Sequence, residues 1–204
     1  MRLYSYVITR DYGFAPNPYF GYCTLATCKP KIRKTAQAGD WVAAFGAAKT
    51  KVYEKLVVLM QVDETLTFDQ YWNDRRFICK KPVFNKGVIH MYGDNIYHRE
   101  DGGWVQEFSH HSMPDGSTNY TNLHRDTGTD RVLIAKNFFY FGNNAIDIPE
   151  QYQDFIKHGI GHNVETDVSL INEFITYMQE NYDESIYGTP YSRKTGKFAH
   201  FKGE

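Results

Sequence analysis

Proton transfer near neutral pH calls for imidazoles, and steering an imidazole calls for carboxylates. The sequence holds both: the pair His110–His111 inside SHHS (109–112), histidines at 90, 98, 124, 158 and 162, and acids at Asp94, Asp126 and Asp130. SHHS lies in a long polar stretch, where a general acid–base is free to meet a substrate; a surface histidine pair is the plainer alternative. A thiol at Cys23 or Cys28 could serve as a nucleophile, because Lys29 and Arg33 nearby would lower its pKa. Buried structural cysteines are the commoner case. No metal is expected. Cys23 and Cys28 have four residues between them rather than two, and a four-ligand zinc set would need histidines chosen at will. In HGIGH (158–162) two glycines spoil the helix that would bring both histidines to one face, and no glutamate completes a metalloprotease pattern.

The segment RDYGFAPNPYFGYCTLATCKPKIRK (10–34) carries the candidate binding groups. Gly13 and Gly21 permit unusual dihedrals and the close approach of a ligand. Pro16 and Pro18 restrict the residues before them, which holds Asn17 in a preset conformation. Tyr12, Phe14, Tyr19 and Phe20 offer flat faces, while Asp11, Asn17, Thr24 and Lys29 offer hydrogen bonds. A stiff loop of aromatic and amide groups suits a planar heterocycle such as a nucleobase, and stacking on an aromatic ring contributes about 1–3 kcal/mol per base. The alternative is a loop packed over the core. KPKIRK (29–34) adds Lys29, Lys31, Arg33 and Lys34, a set suited to phosphate or, more plainly, to a solvated helix face. No glycine-rich phosphate loop, dinucleotide fingerprint, nucleophile elbow or kinase motif set is present.

These groups need a frame. LYSYVIT (3–9), WVAAFGA (41–47) and KLVVLMQV (55–62) predict strands, the last apolar on both faces and therefore interior. Pro30 predicts the first turn of a short helix, and Thr67 with Gln70 forms a capping box for FDQYW. GVIHMYG (87–93) and NIYHRE (95–100) predict a hairpin, residues 101–130 a second long loop, and RVLIAKNFFYFG (131–142) the main strand of the second half. Pro149 opens a short helix. Ile171, Phe174, Ile175 and Met178 then recur at i, i+3, i+4, i+7 and predict a helix with one buried stripe. Short strands with small helices between them, rather than alternating long helices, point to an α+β fold. The expectation is a single domain over 1–204 around a strongly bent mixed sheet or a small barrel, with a basic tail from about 188.

A net charge of −1 excludes a protein that coats duplex DNA by charge alone. Three cysteines without a secretory pattern suit a reducing cytoplasm, and no apolar run approaches the roughly 18 residues of a membrane span. Nothing in the sequence indicates a cofactor or an oligomeric state.

Taken together, RDYGFAPNP, CTLATCKPKIR, GDWVAAFG, KKPVF, GDNIYH, SHHS and VLIAKNFFYFG resemble the second nucleotide-modification-associated domain family of bacteria and phages. Members keep gene company with enzymes that alter DNA bases, so the resemblance implies that theme, an α+β fold and no settled reaction. Carried over by position, the family's prominent polar residues fall on Asp11, Asn17, Cys23, Thr24, Lys29, Arg33, Asp94, Asn95, His98, Ser109 and His111. The expectation is a protein directed at a nucleotide or nucleic-acid base, in a modification or phage-conflict system. Asp11, Asp94 and His111 would transfer protons. Tyr12, Phe14, Asn17, Thr24, Lys29, Arg33, His98 and Ser109 would bind substrate. As an enzyme it would be a base-modifying transferase or hydrolase; the alternative, from a similarity to small PUA-like barrels that read modified bases, is a non-catalytic reader of a modified base with a PUA-like pocket.

Overall fold

The computed structural model describes residues 1–193 and 198–200. Part of the basic tail expected from 188, namely 194–197 and 201–204, lies outside the described residues. In chain order the strands are β1 (Leu3–Ile8), β2 (Cys23–Leu25), β3 (Trp41–Gly46), β4 (Leu56–Gln61), β5 (Glu64–Leu66), β6 (Tyr97–Glu100), β7 (Gly103–Gln106), β8 (Val132–Ala135), β9 (Phe138–Tyr140) and β10 (His162–Glu165). The helices are α1 (Pro30–Thr35), α2 (Phe68–Asn73), α3 (Val88–Met91), α4 (Tyr120–Thr127) and α5 (Val168–Asn181), with short 3-10 turns between. Strands and helices are not arranged in a regular alternation, so the fold is α+β. The chain forms two compact units: one of residues 1–11, 36–64 and 135–191, the other of 12–35, 65–134 and 192–204.

The first unit is a five-stranded mixed sheet in the order β10-β1-β3-β4-β9. β1 runs parallel to β3, pairing Leu3 with Trp41 through Ile8 with Gly46, and antiparallel to β10. β4 is buried along five of its six residues, as its two apolar faces predict. α5 lays Ile171, Phe174, Ile175 and Met178 against Trp41, Phe45, Leu59 and Phe139 in one core cluster. Each such side chain, fully buried, contributes about 1.5–3 kcal/mol. Asp167 caps α5 by accepting from the amides of Ser169 and Leu170. The barrel alternative does not form: β10 and β9 remain edges, and among the described residues no sheet closes on itself.

At the end of β3 the chain has room for glycine alone. A Cβ on Gly46 would sit 1.9 Å from the carbonyl oxygen of Val52, an atom of the main chain that cannot swing aside. Gly46→Ala is therefore expected to lower the unfolding free energy by about 1–3 kcal/mol, the usual cost of overpacking, read as a fall in the urea midpoint.

The second unit has less sheet: the three strands β2-β8-β5 and the hairpin β6–β7. Its core gathers Phe14, Phe68, Tyr71, Phe77, Tyr92, Ile96, Tyr97, Leu123 and Ile134. GVIHMYG forms the short helix α3 rather than the expected strand, because four apolar-mixed residues are too few for periodicity to separate the two. β6 therefore pairs forward with β7, turning at Asp101 and Gly102, both with positive φ. The stretch 101–130 contains β7 and α4 and is not one long loop.

With so little sheet, side chains must satisfy the main chain of residues 12–28. Asn17 and Thr24 exchange amide–carbonyl hydrogen bonds of 2.8 and 2.9 Å. The fully buried ammonium of Lys80 donates to the Asn17 carbonyl and side-chain oxygens, at 2.9 and 3.0 Å, and to the Tyr22 carbonyl at 2.9 Å.

Candidate active site

Between β2 and α1 the chain makes a turn in which Cys28 and Lys29 adopt φ of 58° and 40°. Left-handed backbone at a non-glycine residue costs about 1–2 kcal/mol, so the surroundings must enforce it. They do so at both main-chain polar groups of Cys28. Its amide donates to Asp126 Oδ1 at 3.0 Å, and its carbonyl accepts from Arg33 Nε at 2.8 Å. The rest of the Arg33 guanidinium reaches three more carbonyls: Nη1 donates to Thr129 and Arg131, at 2.8 and 2.7 Å, and Nη2 to Asp126 at 2.6 Å. Arg33 is fully buried.

SHHS supplies the second component. The Ser109 amide donates to Ser112 Oγ at 3.1 Å, that hydroxyl donates to the Ser109 carbonyl at 3.0 Å, and the His111 amide donates to Ser109 Oγ at 3.3 Å. This knot aims the His111 ring. Nδ1 lies 2.7 Å from Asp126 Oδ2 and Nε2 lies 3.8 Å from Cys28 Sγ. The third component comes from α4, capped by Asn119. Asn122 and Asp126, four apart, share a helix face: Asn122 Nδ2 donates to the His111 carbonyl at 2.8 Å while Asp126 holds its ring. The same carboxylate also accepts from Tyr97 OH at 2.9 Å and Arg125 Nε at 3.2 Å. One buried carboxylate thus fixes both the main chain of the thiol residue and the imidazole beside it.

The electrostatics follow from this arrangement. Burial opposes charge on His111, but Asp126 and Cys28 outweigh it and raise the imidazole to about 9. Burial likewise pushes the Cys28 thiol up, and the neighbouring imidazolium more than reverses this and brings it below its ordinary value. Asp126 is driven well below the carboxylate range, since His111, Arg125 and Arg33 together overcome its burial. His111 and Cys28 titrate as a pair, each favouring the charged form of the other. Cys28 is half-buried, whereas His111 and Asp126 are buried. This chain of thiol, imidazole and carboxylate can perform nucleophilic catalysis. The three ligand atoms also fall within 4.8 Å of one another, close enough to gather a cation. Asp126 and Cys28, however, meet opposite nitrogens of the ring, which is a relay rather than a set converging on one point.

Of the residues expected from the sequence, His111 and Ser109 belong to this cluster directly, and Arg33 holds its turn. Arg33 does not present its charge to a phosphate, because its donors already meet four carbonyls. Lys29 is half-buried, with its ammonium pKa lowered by burial against an opposing pull from Cys28. Phe14 is buried, its ring centre 4.7 Å from that of His111, so it walls the imidazole and offers no open face. Tyr12 is half-buried and stacks on Tyr92 at 5.4 Å.

Asn17, Thr24 and Asp94 form a separate, fully buried network. Thr24 Oγ1 and Tyr71 OH donate to Asp94 at 2.6 and 2.8 Å, and burial raises the Asp94 carboxyl to about 6 against the pull of Lys80 and those donors. Asn17 donates to the Tyr92 carbonyl at 3.1 Å and accepts from Lys80. These three tie the segment down, and a base could reach them only after rearrangement. Asp11 belongs to the first unit, where it is buried and accepts from Tyr140 OH at 2.5 Å. His98 is stacked on Trp72 at 4.1 Å and bonded to Glu107 at 2.9 Å. Asp126 is the member that sequence reasoning left without a role; the Asn122/Asp126 spacing on a polar helix was its available signal.

The fold and this cluster define an α+β protein built around a Cys–His–Asp arrangement. Its affiliation is equally plain: the chain belongs to the nucleotide modification associated domain 2 family, whose model matches residues 1–197 and so spans both units. No curated protein and no solved structure matches it. The family description gives the chain a role associated with nucleotide modification. No helix among the described residues is long and apolar enough to cross a membrane.

Proposed function

We propose that this protein is an enzyme acting on a nucleotide or a nucleic-acid base, with the Cys28 thiolate as its nucleophile. The supporting observation is the chain from Cys28 Sγ through the His111 ring to Asp126, at 3.8 and 2.7 Å. The sulfur attacks a trigonal carbon of the substrate and forms a C–S bond. The leaving group departs with the proton that His111 Nε2 delivers. Water, in a hydrolase, or an acceptor hydroxyl or amine, in a transferase, then attacks the same carbon. It gives its proton back to Nε2, and the C–S bond breaks to return the thiolate. Asp126 keeps the ring oriented and stabilises its charge throughout.

The test is nucleoside mass spectrometry on cells expressing the protein beside its genomic neighbours. Wild type should alter the nucleoside profile. Cys28→Ala and His111→Ala should abolish the change while folding as wild type by circular dichroism. A profile that Cys28→Ala leaves intact overturns the thiol mechanism. Retained affinity for a modified base without turnover would then favour a reader.

A further inference from the structure

Beside the cluster, in the same unit, lies a cavity of about 530 Å³, within the roughly 300–1,000 Å³ of small-molecule sites. Met113, Pro114 and Phe198 supply its apolar lining, and Ser112, Asn119 and His200 its polar lining. We infer that this cavity is the subsite for the planar base of the substrate, held between Met113 and the Phe198–His200 wall, with Asn119 and His200 on its hydrogen-bonding edge. The inference rests on the reading of Cys28 given above and names the substrate part that the neighbouring pocket takes.

Three observations carry it. The first is the chemistry of the wall. Phe198 and His200 meet edge to face at 4.9 Å, and Phe198 is backed by Tyr92 and Phe84 at 4.9 and 4.8 Å. The wall is also pinned, since the Ala199 amide donates to Tyr92 OH at 3.0 Å and its carbonyl meets His110 Nδ1. Among the described residues no lysine or arginine lines the cavity, and the aromatic and amide lining suits a flat, uncharged ring.

The second is an unmet need. His200 lines the cavity and its buried Nδ1 has no hydrogen-bond partner, so a turn of the ring toward the cavity would let an arriving ligand relieve that cost. Asn119 uses Oδ1 to cap α4, and the cap makes no use of its Nδ2. A nucleobase edge carries donors and acceptors that match this pair.

The third is mechanical continuity with the cluster. Ser112 directly follows His111. The Asn119 amide donates to Gln106 Oε1 at 2.7 Å, and Gln106 Nε2 donates to the His111 carbonyl at 3.3 Å and to Tyr97 OH at 3.1 Å. Tyr97 in turn donates to Asp126. A ligand that shifts Asn119 therefore acts on the residues that hold His111.

The experiment uses the full chain carrying Cys28→Ala, methyl-labelled at methionine. Adenosine, guanosine, cytidine and thymidine are the probes, with ribose 5-phosphate and N-acetyltryptophanamide as controls. At least one nucleoside should shift the Met113 methyl resonance, and Phe198→Ala or His200→Ala should weaken that nucleoside about tenfold, the equivalent of one good contact. The inference falls if no nucleoside shifts Met113, or if ribose 5-phosphate does so equally. It also falls if only N-acetyltryptophanamide does, which would make this a peptide site. In parallel, the pH dependence of iodoacetamide labelling at Cys28 is read in the wild-type protein. A silent pocket beside a reactive thiol overturns this inference alone. A nucleoside-binding pocket beside an inert thiol overturns the reading of Cys28 instead.

Discussion

Iodoacetamide will label Cys28 at pH 7 more slowly in His111→Ala than in wild type, because the variant holds less of the thiol as thiolate. The argument is one of sign. Burial pushes the thiol up, and it is the imidazolium that brings it below its ordinary value. Removing the ring leaves only the upward push, so the labelling inflection moves to higher pH. Turnover should fall further, by about 10²–10⁴, because the variant also lacks the general acid. In wild type the imidazole stays protonated up to about 9, so activity should rise as the thiol ionises and fall again through about 9. Asp126→Asn withdraws the charge that raises the imidazole, and the alkaline limb should move to lower pH. The same shift bears on stability. His111 has a folded-state pKa above its unfolded value, so its contribution is complete below roughly 6.5. It is lost as pH rises through about 9. The lowered thiol of Cys28 contributes with the opposite sign, so the pair's net effect on the urea midpoint across that window should be small. Peptide mass spectrometry at Cys28 separates its labelling from that of Cys23 and Cys79. A wild-type inflection in the ordinary thiol range, unmoved by His111→Ala, would show that the pair is not ionised.

The parts that could be read from the sequence are those whose signal is local. The stripe of Ile171, Phe174, Ile175 and Met178 predicts α5 because burial follows the helical period directly. Thr67 and Gln70 announce α2 through a reciprocal cap that the structure contains. α4 escaped notice for the opposite reason. Its inward face carries Asn122 and Asp126 with one apolar residue, Leu123, so it lacks the repeated apolar stripe that marks α5. The cluster itself joins positions 28, 111 and 126, and no spacing rule connects residues that meet only after folding. SHHS drew attention to His111, and the cations near Cys28 to its thiol, but nothing local said that the two share a carboxylate. The aromatic, glycine-bearing segment after β1 was legible as unusual. Its explanation lay in Lys80, whose buried ammonium satisfies carbonyls that a sheet would otherwise have paired.

Arg33 provides the sharpest contrast between a residue's type and its use. Arg33→Met should lower the unfolding free energy by about 3–5 kcal/mol, because four buried carbonyls lose a charged donor at once and each unsatisfied group costs about 1–3 before relaxation. Arg33→Lys should recover little. The guanidinium reaches the carbonyls of Cys28, Thr129, Arg131 and Asp126 from three nitrogens in a rigid fork, and a single ammonium cannot span them. The loss should also be felt at the sulfur. The left-handed turn at Cys28 is held by this carbonyl contact and by Asp126, so any folded Arg33 variant should label at Cys28 with a higher inflection. Phosphate binding predicts something different: an unchanged urea midpoint and a flatter salt dependence of nucleotide affinity. Lys29→Ala tests that alternative without disturbing the fork, since the Lys29 side chain is half-exposed. An Arg33→Met protein as stable as wild type would remove the staple, and with it the reason Cys28 is held in a conformation that its side chain disfavours.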